Sequence, residues 1–524
     1  MEKWEAFGEN RRFVAVLLCV SLSVHVYMGL ILGAKYWFDS LIYFQLAEGL
    51  TSQTALRSLY AGPFGVIFQH LGPGLSLLIL MFDELFGQNM WPAFAVLQNA
   101  IDVFASIYLA TGLSKHFGRP AQLAIVILIP LFPYFSAFHN AILTESLTSS
   151  LVMIMVGATV RCLEGRLECL RGIVIVLFLG AIGAQIRSYV IGIGGGLALL
   201  IVFFSAHSRR LWLYLTVGTT MAFGFLVFPL YRVAAGIEFF LPNADALMLM
   251  HAHYVNWDLD ERSRRAIEHV VLDTSISSKL STSDGQVEYH DVVEMVDALV
   301  KTGMGRQEAI RKIGRAGWVV RTQSWAVMAQ QLQLSMSSLG FQWLSTCCEP
   351  KRVLAFNDFT AEKLLLHLQH YYRWNAGLDS SDYAALFQTF GQMYRATPYY
   401  DTATIDWYIG RVGPFIVPHP GTMRDPLKLS KVPPDIFILA GLAGFFLMAR
   451  RDRRLVLILL FIMSIDFAAS LSAGLLGDNR YSHFLWPFYA IGSVAFFIRT
   501  VQCSIELAGR AFRWKKHRHA WPPS

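Results

Sequence analysis

Two carboxylates and two arginines from four distant parts of the chain have the types that can hold an anion and take up a proton: Asp39, Glu145, Arg187 and Arg480. A guanidinium fork pairs the oxygens of a phosphate or carboxylate and keeps its charge at any working pH. A carboxylate within reach of a reacting hydroxyl can act as its base. Each of the four sits in or beside an apolar run, where a charge costs roughly 2.5–3.5 kcal/mol on insertion scales and is a candidate for function by default. Three sit in short polar stretches: His139-Asn140-Ala141-Ile142-Leu143-Thr144-Glu145, Gln185-Ile186-Arg187 and Gly477-Asp478-Asn479-Arg480-Tyr481. Plainer roles exist for these three. Glu145 suits the first turn of a helix, Arg187 can close a turn, and Arg480 with Tyr481 can anchor at an interface. Asp39 is an isolated acid among Tyr36, Trp37, Phe38, Tyr43 and Phe44, and has the weakest structural explanation.

Other candidates fall away. His251 and His253, with Asp258 and Asp260, invite a metal, but residues i and i+2 on a helix point to different faces, and a solvated loop is the better reading. The six cysteines show no paired CxxC spacing, and adjacent Cys347 and Cys348 are poorly placed to bond each other. No metal site and no cofactor is expected, without a divalent metal being excluded, and nothing points to nucleic acid. Asp102 and Asp466 lie inside apolar runs and are expected to be paired or packed against polar neighbours.

The elements that must position these residues are membrane helices. The 524 residues are 54% hydrophobic and only 15% charged, with mean hydropathy +0.43, whereas a soluble domain averages about 25% charged. Apolar runs cover 13–34, 91–113, 120–138, 142–160, 172–205, 211–231, 435–449, 455–476 and 483–499. As one helix, 172–205 would be about 50 Å long against a core of ~30 Å. It is read as two spans turning at Arg187, which gives about ten spans. Segment 72–87 contains Asp83 and Glu84. If it does not cross, sixteen Lys and Arg of the short loops and the C-terminal tail share the cytoplasmic side, as the positive-inside rule requires. If it crosses, they all face outward. It is therefore read as a juxtamembrane helix on the outer face.

The expected fold is an all-α polytopic membrane protein of about ten transmembrane helices, with outer-face juxtamembrane helices and a mainly helical extracytoplasmic domain. Residues 1–231 form the first transmembrane module, with juxtamembrane helices in 35–88. Residues 232–434 form the extracytoplasmic domain, 435–500 the last spans and 501–524 a basic cytoplasmic tail. In 232–434, Val292, Val293, Met295, Val296, Leu299 and Val300 are spaced for one helix face, as are Ile310, Ile313, Val319 and Val320. With both termini cytoplasmic, Asp39, Glu145, Arg187 and Arg480 meet at the outer face.

This order and sidedness resemble the polytopic glycosyltransferases of the GT-C fold, especially the protein O-mannosyltransferase and aminoarabinose transferase-like branch. The acid after the first span matches Asp39. The juxtamembrane helices with a Gly/Pro-rich approach match Tyr43, Ala47, Gly62-Pro63 and Gly72-Pro73-Gly74. The outer loop ending in an acid matches Leu143-Thr144-Glu145, the basic residue between short spans Arg187, and the late Arg-Tyr pair Arg480-Tyr481. The family often has two consecutive acids after the first span, and here Asp39 is followed by Ser40.

The resemblance implies an enzyme that moves a sugar from a polyprenyl-phosphate-linked donor to a glycan, lipid or protein acceptor on the outer face of a bacterial inner membrane. Asp39 and Glu145 are then the candidate catalytic acids, Arg187 and Arg480 the donor phosphate ligands, and Tyr43, His139 and Tyr481 substrate-binding residues. Direct displacement inverts the anomeric centre. A lipid or glycan transporter, or a non-catalytic envelope-assembly protein, is the alternative.

Overall fold

The computed structural model describes residues 2–32, 38–62, 71–131, 133–136, 138–204, 210–239, 289–322, 325–337, 401–415, 434–449, 453–473 and 483–518, and single positions 65, 68, 265, 339, 389, 392 and 395. Among the described residues every regular element is helical. In chain order these are α1 (Glu2–Leu32), α2 (Phe38–Leu50), α3 (Gln53–Ala61), α4 (Gly74–Phe86), α5 (Met90–Gly112), α6 (Arg119–Leu131), α7 (Pro133–Ser136), α8 (Thr144–Leu163), α9 (Cys169–Ile186), α10 (Val190–Phe204) and α11 (Arg210–Ala234). Then follow α12 (Tyr289–Lys301), α13 (Arg306–Arg321), α14 (Trp325–Ser337), α15 (Thr402–Val412), α16 (Pro434–Ala449), α17 (Arg453–Ala473) and α18 (Trp486–Arg518).

Six stretches among the described residues are long and apolar enough to cross a membrane: Arg11–Gly29, Gly74–Gly112, Thr144–Leu163, Cys169–Ile186, Thr216–Ala234 and His483–Arg510. The chain is a polytopic helical membrane protein. Six is fewer than the expected ten or so, and part of the difference lies in short helices. The apolar stretches Arg119–Leu131, Val190–Phe204 and Asp435–Met448 have at most 15 residues. Each is at most about 23 Å long, short of a ~30 Å core.

The core is a bundle around α8. Leu109, Val156, Val176, Leu197, Ile458 and Tyr489, from six helices, are buried in one apolar cluster. Helix α5 runs parallel to α8, since Asp102 meets Ser150 and Tyr108 meets Arg161. Helix α9 runs back, with Gly172 beside Cys162 and Gly183 beside Leu151. The turn at Arg187 is sharp because that residue leaves the helix in an extended conformation (φ −142°, ψ 120°), and Val190 N–H bonds its carbonyl to start α10.

These directions sort the loops onto two ends. One end holds Lys115, His116, Arg161, Arg166 and Arg454: Lys115 donates to the Glu164 carbonyl (2.7 Å), Arg161 to the Tyr108 carbonyl (2.7 Å) and Arg454 to the Leu163 carbonyl (3.3 Å). Glu164 also pairs with His116 and Arg166. The opposite end holds the 138–143 loop and the Arg187 turn.

Helix α4 lies across that second end. Gly72 and Gly74, at its start, press against the backbone of Gln185. Its other end turns through Gly87, at φ 50°, into the first turn of α5, where Phe82 meets Phe94 edge-on at 5.6 Å. Both ends of α4 therefore meet the same end of the bundle. Helix α2 packs on it through Leu41 and Phe44 against Leu75 and Ile79, and the Ser76 hydroxyl donates to the Tyr43 carbonyl (2.9 Å). Helix α15 covers α2, with Trp407 and Tyr408 each 4.9 Å from the Phe44 ring.

The described parts of 232–434 adjoin these helices. Helices α12 and α13 pack through Val292, Met295, Val296, Leu299, Ile310 and Ile313, all buried. Arg306 bonds the Gly62 carbonyl (2.9 Å), and the Leu339 carbonyl accepts from Tyr489 Oη (2.9 Å).

The contact of Gly72 with the Gln185 backbone leaves no space for a side chain. Gly72→Val is expected to push α4 off α9 and cost about 1–3 kcal/mol, as overpacking does. Thermal unfolding in detergent checks this, and an unchanged melting temperature would refute the close approach.

Candidate active site at one end of the bundle

The N-cap residue of α8, Leu143, makes no side-chain capping hydrogen bond, and Glu145 stands in the first turn. The Glu145 side chain takes a charge partner from the α9–α10 turn: Arg187 Nη2 lies 2.5 Å from Oε1, and the two side chains are 12% and 1% exposed. Arg187 Nε donates to Thr144 Oγ1 (2.7 Å), and Nη1 stands 3.5 Å from Tyr189 Oη. The guanidinium is thus oriented at each of its nitrogens. Asp466 of α17, buried, is close enough to Arg187 and Tyr189 to act on both electrostatically, and its Oδ2 has no hydrogen-bond partner. Burial pushes the Tyr189 phenol up to about 12 against the pull of Arg187, so it stays a proton donor at neutral pH.

Asp39 occupies the first turn of α2, and its side chain is outside the described residues. The placement of its backbone is nonetheless defined. The Ser40 hydroxyl, one residue on, donates to the Ile142 carbonyl (2.9 Å), which lies three residues before Glu145. The segment carrying Asp39 is thereby tied to the segment carrying Glu145. Of the other expected residues, Tyr43 is buried between α2 and α4, and Arg480 and Tyr481 lie outside the described residues.

His139 turns into the bundle. Its Nδ1 is 3.1 Å from the Phe135 carbonyl, and its Nε2 is 3.4 Å from Asp102 Oδ2. The same carboxylate oxygen is 2.6 Å from His25 Nε2, and Ser150 donates to its other oxygen (3.1 Å). His483, from the start of the last span, bonds the Phe135 carbonyl through Nε2 (3.1 Å) and stacks on the Phe135 ring at 4.8 Å. Asp102 has the polar neighbours expected of it. His25, His483 and Tyr189 were missed. His25 sits inside an uninterrupted apolar run, and a lone histidine there gives no periodic signal. Its partner is 77 residues away.

What this arrangement can do follows from charge. Glu145, matched by Arg187, can stay an ionised acceptor out of water, and Arg187 presents a fixed positive charge to whatever reaches it. Two imidazoles approach one oxygen of Asp102 directly, and among the described residues no group of three ligating side chains is placed to hold a metal.

No family model matches this chain and no curated protein is similar to it. Among solved structures it is similar to the Archaeoglobus fulgidus oligosaccharyltransferase in the apo form, at 13% identity and a TM-score of 0.36, over 96% of this chain and 51% of that one. The same enzyme in complex with Zn and sulfate gives 10% identity and a TM-score of 0.34, over 94% and 50%. The likeness is remote. The chain spans about half the length of the structures it matches.

Removing one partner of a buried ion pair strands the other, at a cost of about 3–5 kcal/mol. Arg187→Leu is expected to lower the melting temperature more than the double substitution Glu145→Leu/Arg187→Leu, in which no charge is stranded. Equal losses would mean that the pair is exposed to water.

A second prediction concerns the cover formed by α15, where Glu48 of α2 pairs with Thr404, and Asp83 of α4 with Arg411. Burial pushes the Glu48 carboxyl up from 4.5, helped by the nearby Asp401 and opposed by the Thr404 hydrogen bond. A carboxyl raised in the docked state favours docking when protonated. The α15–α2 contact is therefore strongest below the ordinary carboxyl range and weakens as pH rises through the raised value. Hydrogen exchange of 402–412 should be faster at pH 7 than at pH 5 once corrected for intrinsic rates. Equal corrected rates would remove Glu48 from the contact.

Proposed function

We propose that this protein is a membrane glycosyltransferase that uses a polyprenyl-phosphate-linked sugar and works on the extracytoplasmic face. The observation that carries the reading is the Ser40–Ile142 hydrogen bond, which ties the start of α2, where Asp39 stands, to the loop before Glu145, itself paired with Arg187. Three of the four charges expected to form one site thus come from segments joined at one end of the bundle. The basic short loops at the other end support an extracytoplasmic placement.

In this reading Asp39 takes the proton of the acceptor nucleophile as it attacks the anomeric carbon, and the bond from that carbon to the lipid phosphate breaks with inversion. The phosphate leaves with the electron pair. Arg187, joined by Arg480, supplies positive charge where that negative charge develops. Glu145 holds Arg187 in place, and α2 and α4, lying across the bundle end, border the approach of a donor that enters from the bilayer.

A proton-coupled transporter is the reading that the buried His25–Asp102 pair favours, since intramembrane acids with proton-bearing partners recur in such proteins. One experiment separates the two. Envelope lipids and glycans are compared by mass spectrometry in cells with the gene, without it, and with Asp39→Asn. A glycan missing one sugar in both altered strains, with polyprenyl-phosphate-sugar accumulating, is the expected result. A deletion defect with a normal glycan in Asp39→Asn would remove Asp39 as the base, and an unchanged glycan profile in the deletion would turn the reading to transport or assembly.

A further inference from the structure

The proposed chemistry makes no use of His25 and Asp102, yet they form a close charged contact enclosed within the bundle. They are 4% and 0% exposed, and Nε2 stands 2.6 Å from Oδ2. The other nitrogen of His25 fixes the proton count. Nδ1 lies 2.8 Å from the Ser21 carbonyl oxygen, which can only accept; the Ser21 hydroxyl, at 3.5 Å, is the weaker neighbour. Nδ1 therefore carries hydrogen. Nε2 faces a carboxylate, so a hydrogen must lie between them too. Either His25 is an imidazolium beside an ionised Asp102, or Asp102 is protonated and donates to Nε2. In both forms the pair holds one proton more than a neutral imidazole beside a carboxylate. Without it, a lone pair on Nε2 faces an anion inside the bundle.

The pair also reaches the candidate site. His139 Nε2 meets the same Asp102 oxygen at 3.4 Å. Asn140 Nδ2 donates to the Gly29 carbonyl near the end of α1, and Asn99 Nδ2 donates to Asn140 Oδ1, both at 3.3 Å. Through Ile142 the same loop holds Ser40. The loop that leads to Glu145 is thus pinned to α1, α5 and α2 around Asp102.

We propose that His25 and Asp102 form a one-proton lock that positions the 138–143 loop, and with it Glu145 and the start of α2. The charged and titratable groups around it are few. Helix α8 presents Ser150 and, at its start, Glu145, which is matched by Arg187. Helix α18 and the turn before it bring His483, and α17 brings Asp466, nearer to Arg187. Helix α6 carries Arg119 alone, at the far end of the bundle beside Phe13, and α7 carries Tyr134. Besides Arg187, already engaged with Glu145, only His139 and His483 among these can bring a positive charge near Asp102, and of the two His139 is the one that meets its carboxylate. Loss of the shared proton leaves a buried negative charge, and the loop is released. Its meaning for catalysis rests on the proposed reading of the site, while the lock itself is tested without activity.

The test is thiol labelling of Ala141→Cys, a position 1% exposed, in a chain whose six native cysteines are replaced, held in nanodiscs. Maleimide rates from pH 6 to 9 are divided by those of the unfolded chain at the same pH. The lock predicts slow labelling at low pH, then a rise of roughly tenfold per pH unit once the pair loses its proton, as one-proton linkage requires. Asp102→Asn, whose amide can donate to Nε2 of a neutral His25 as a protonated Asp102 would, should stay protected throughout with no such step. The double variant His25→Gln/Asp102→Asn, with a neutral amide pair, should likewise be protected without pH dependence. A flat wild-type profile overturns the proposal, and so does a pH step that persists in Asp102→Asn. If Asp102→Asn does not fold, the wild-type profile decides alone. A protein without transferase activity can still pass, so the two readings fail separately.

Discussion

A carboxylate taken out of water must be matched by a positive charge or a proton, because its uncompensated burial costs several kcal/mol. That requirement builds one end of this bundle. Asp102 on α5 takes His25 from α1, and Glu145 on α8 takes Arg187 from the α9–α10 turn. Each match joins segments far apart in the chain, and the loop between Asp102 and Glu145 is held at both ends as a consequence. At the other end Glu164 is paired just as closely, with His116 and Arg166, but those partners are 17% and 30% exposed. Water and salt screen them, so that cluster ties loops together without imposing a comparable penalty for opening.

Above the two buried pairs lies a layer of another character. Helices α2 and α4 meet through Leu41, Phe44, Leu75 and Ile79, and α15 closes over them with two aromatic rings. Its charges, Glu48 with Thr404 and Asp83 with Arg411, sit at the rim and are only partly buried. Apart from the Ser76–Tyr43 hydrogen bond, these contacts of α2 with α4 are apolar and can shift by small amounts at low cost, whereas the pairs beneath cannot part without stranding charge.

Turns were legible in the sequence because they depend on local composition. Arg187 marks its turn because one helix through 172–205 would overshoot the bilayer, and the chain does break there into α9 and α10. Segment 72–87 reads as lying flat from the bias of distant Lys and Arg, and α4 has both ends at one end of the bundle. The apolar face Val292 to Leu299 is buried as its spacing predicts. Pairing between helices was not legible. A histidine at position 25 is compatible with facing lipid or any of several neighbours, and only the crossing of α1 with α5 selects Asp102. His483 was hidden in the same way. Asp466 drew notice as a charge in an apolar run, but its approach to Arg187 depends on how α17 sits beside the α9–α10 turn. Periodicity gives the face of a helix, and which face meets which is a property of the packed bundle.

The Glu145–Arg187 pair constrains any chemistry proposed for it. Arg187 already spends Nε on Thr144 and Nη2 on Glu145, with Nη1 turned toward Tyr189. A phosphate reaching this guanidinium competes with a carboxylate for the same fork, and a group bearing more negative charge competes better. In the proposed reaction the leaving phosphate gains negative charge as the sugar bond stretches, so Arg187 is drawn from Glu145 toward it as the transition state is approached. Glu145 gives up part of its counter-charge to the departing phosphate. An ion pair holding Arg187 before the reaction thus does more than orient it. In the proposed reaction it makes the stabilisation of the leaving group stronger in the transition state than in the ground state, which is the condition for an interaction to accelerate a reaction.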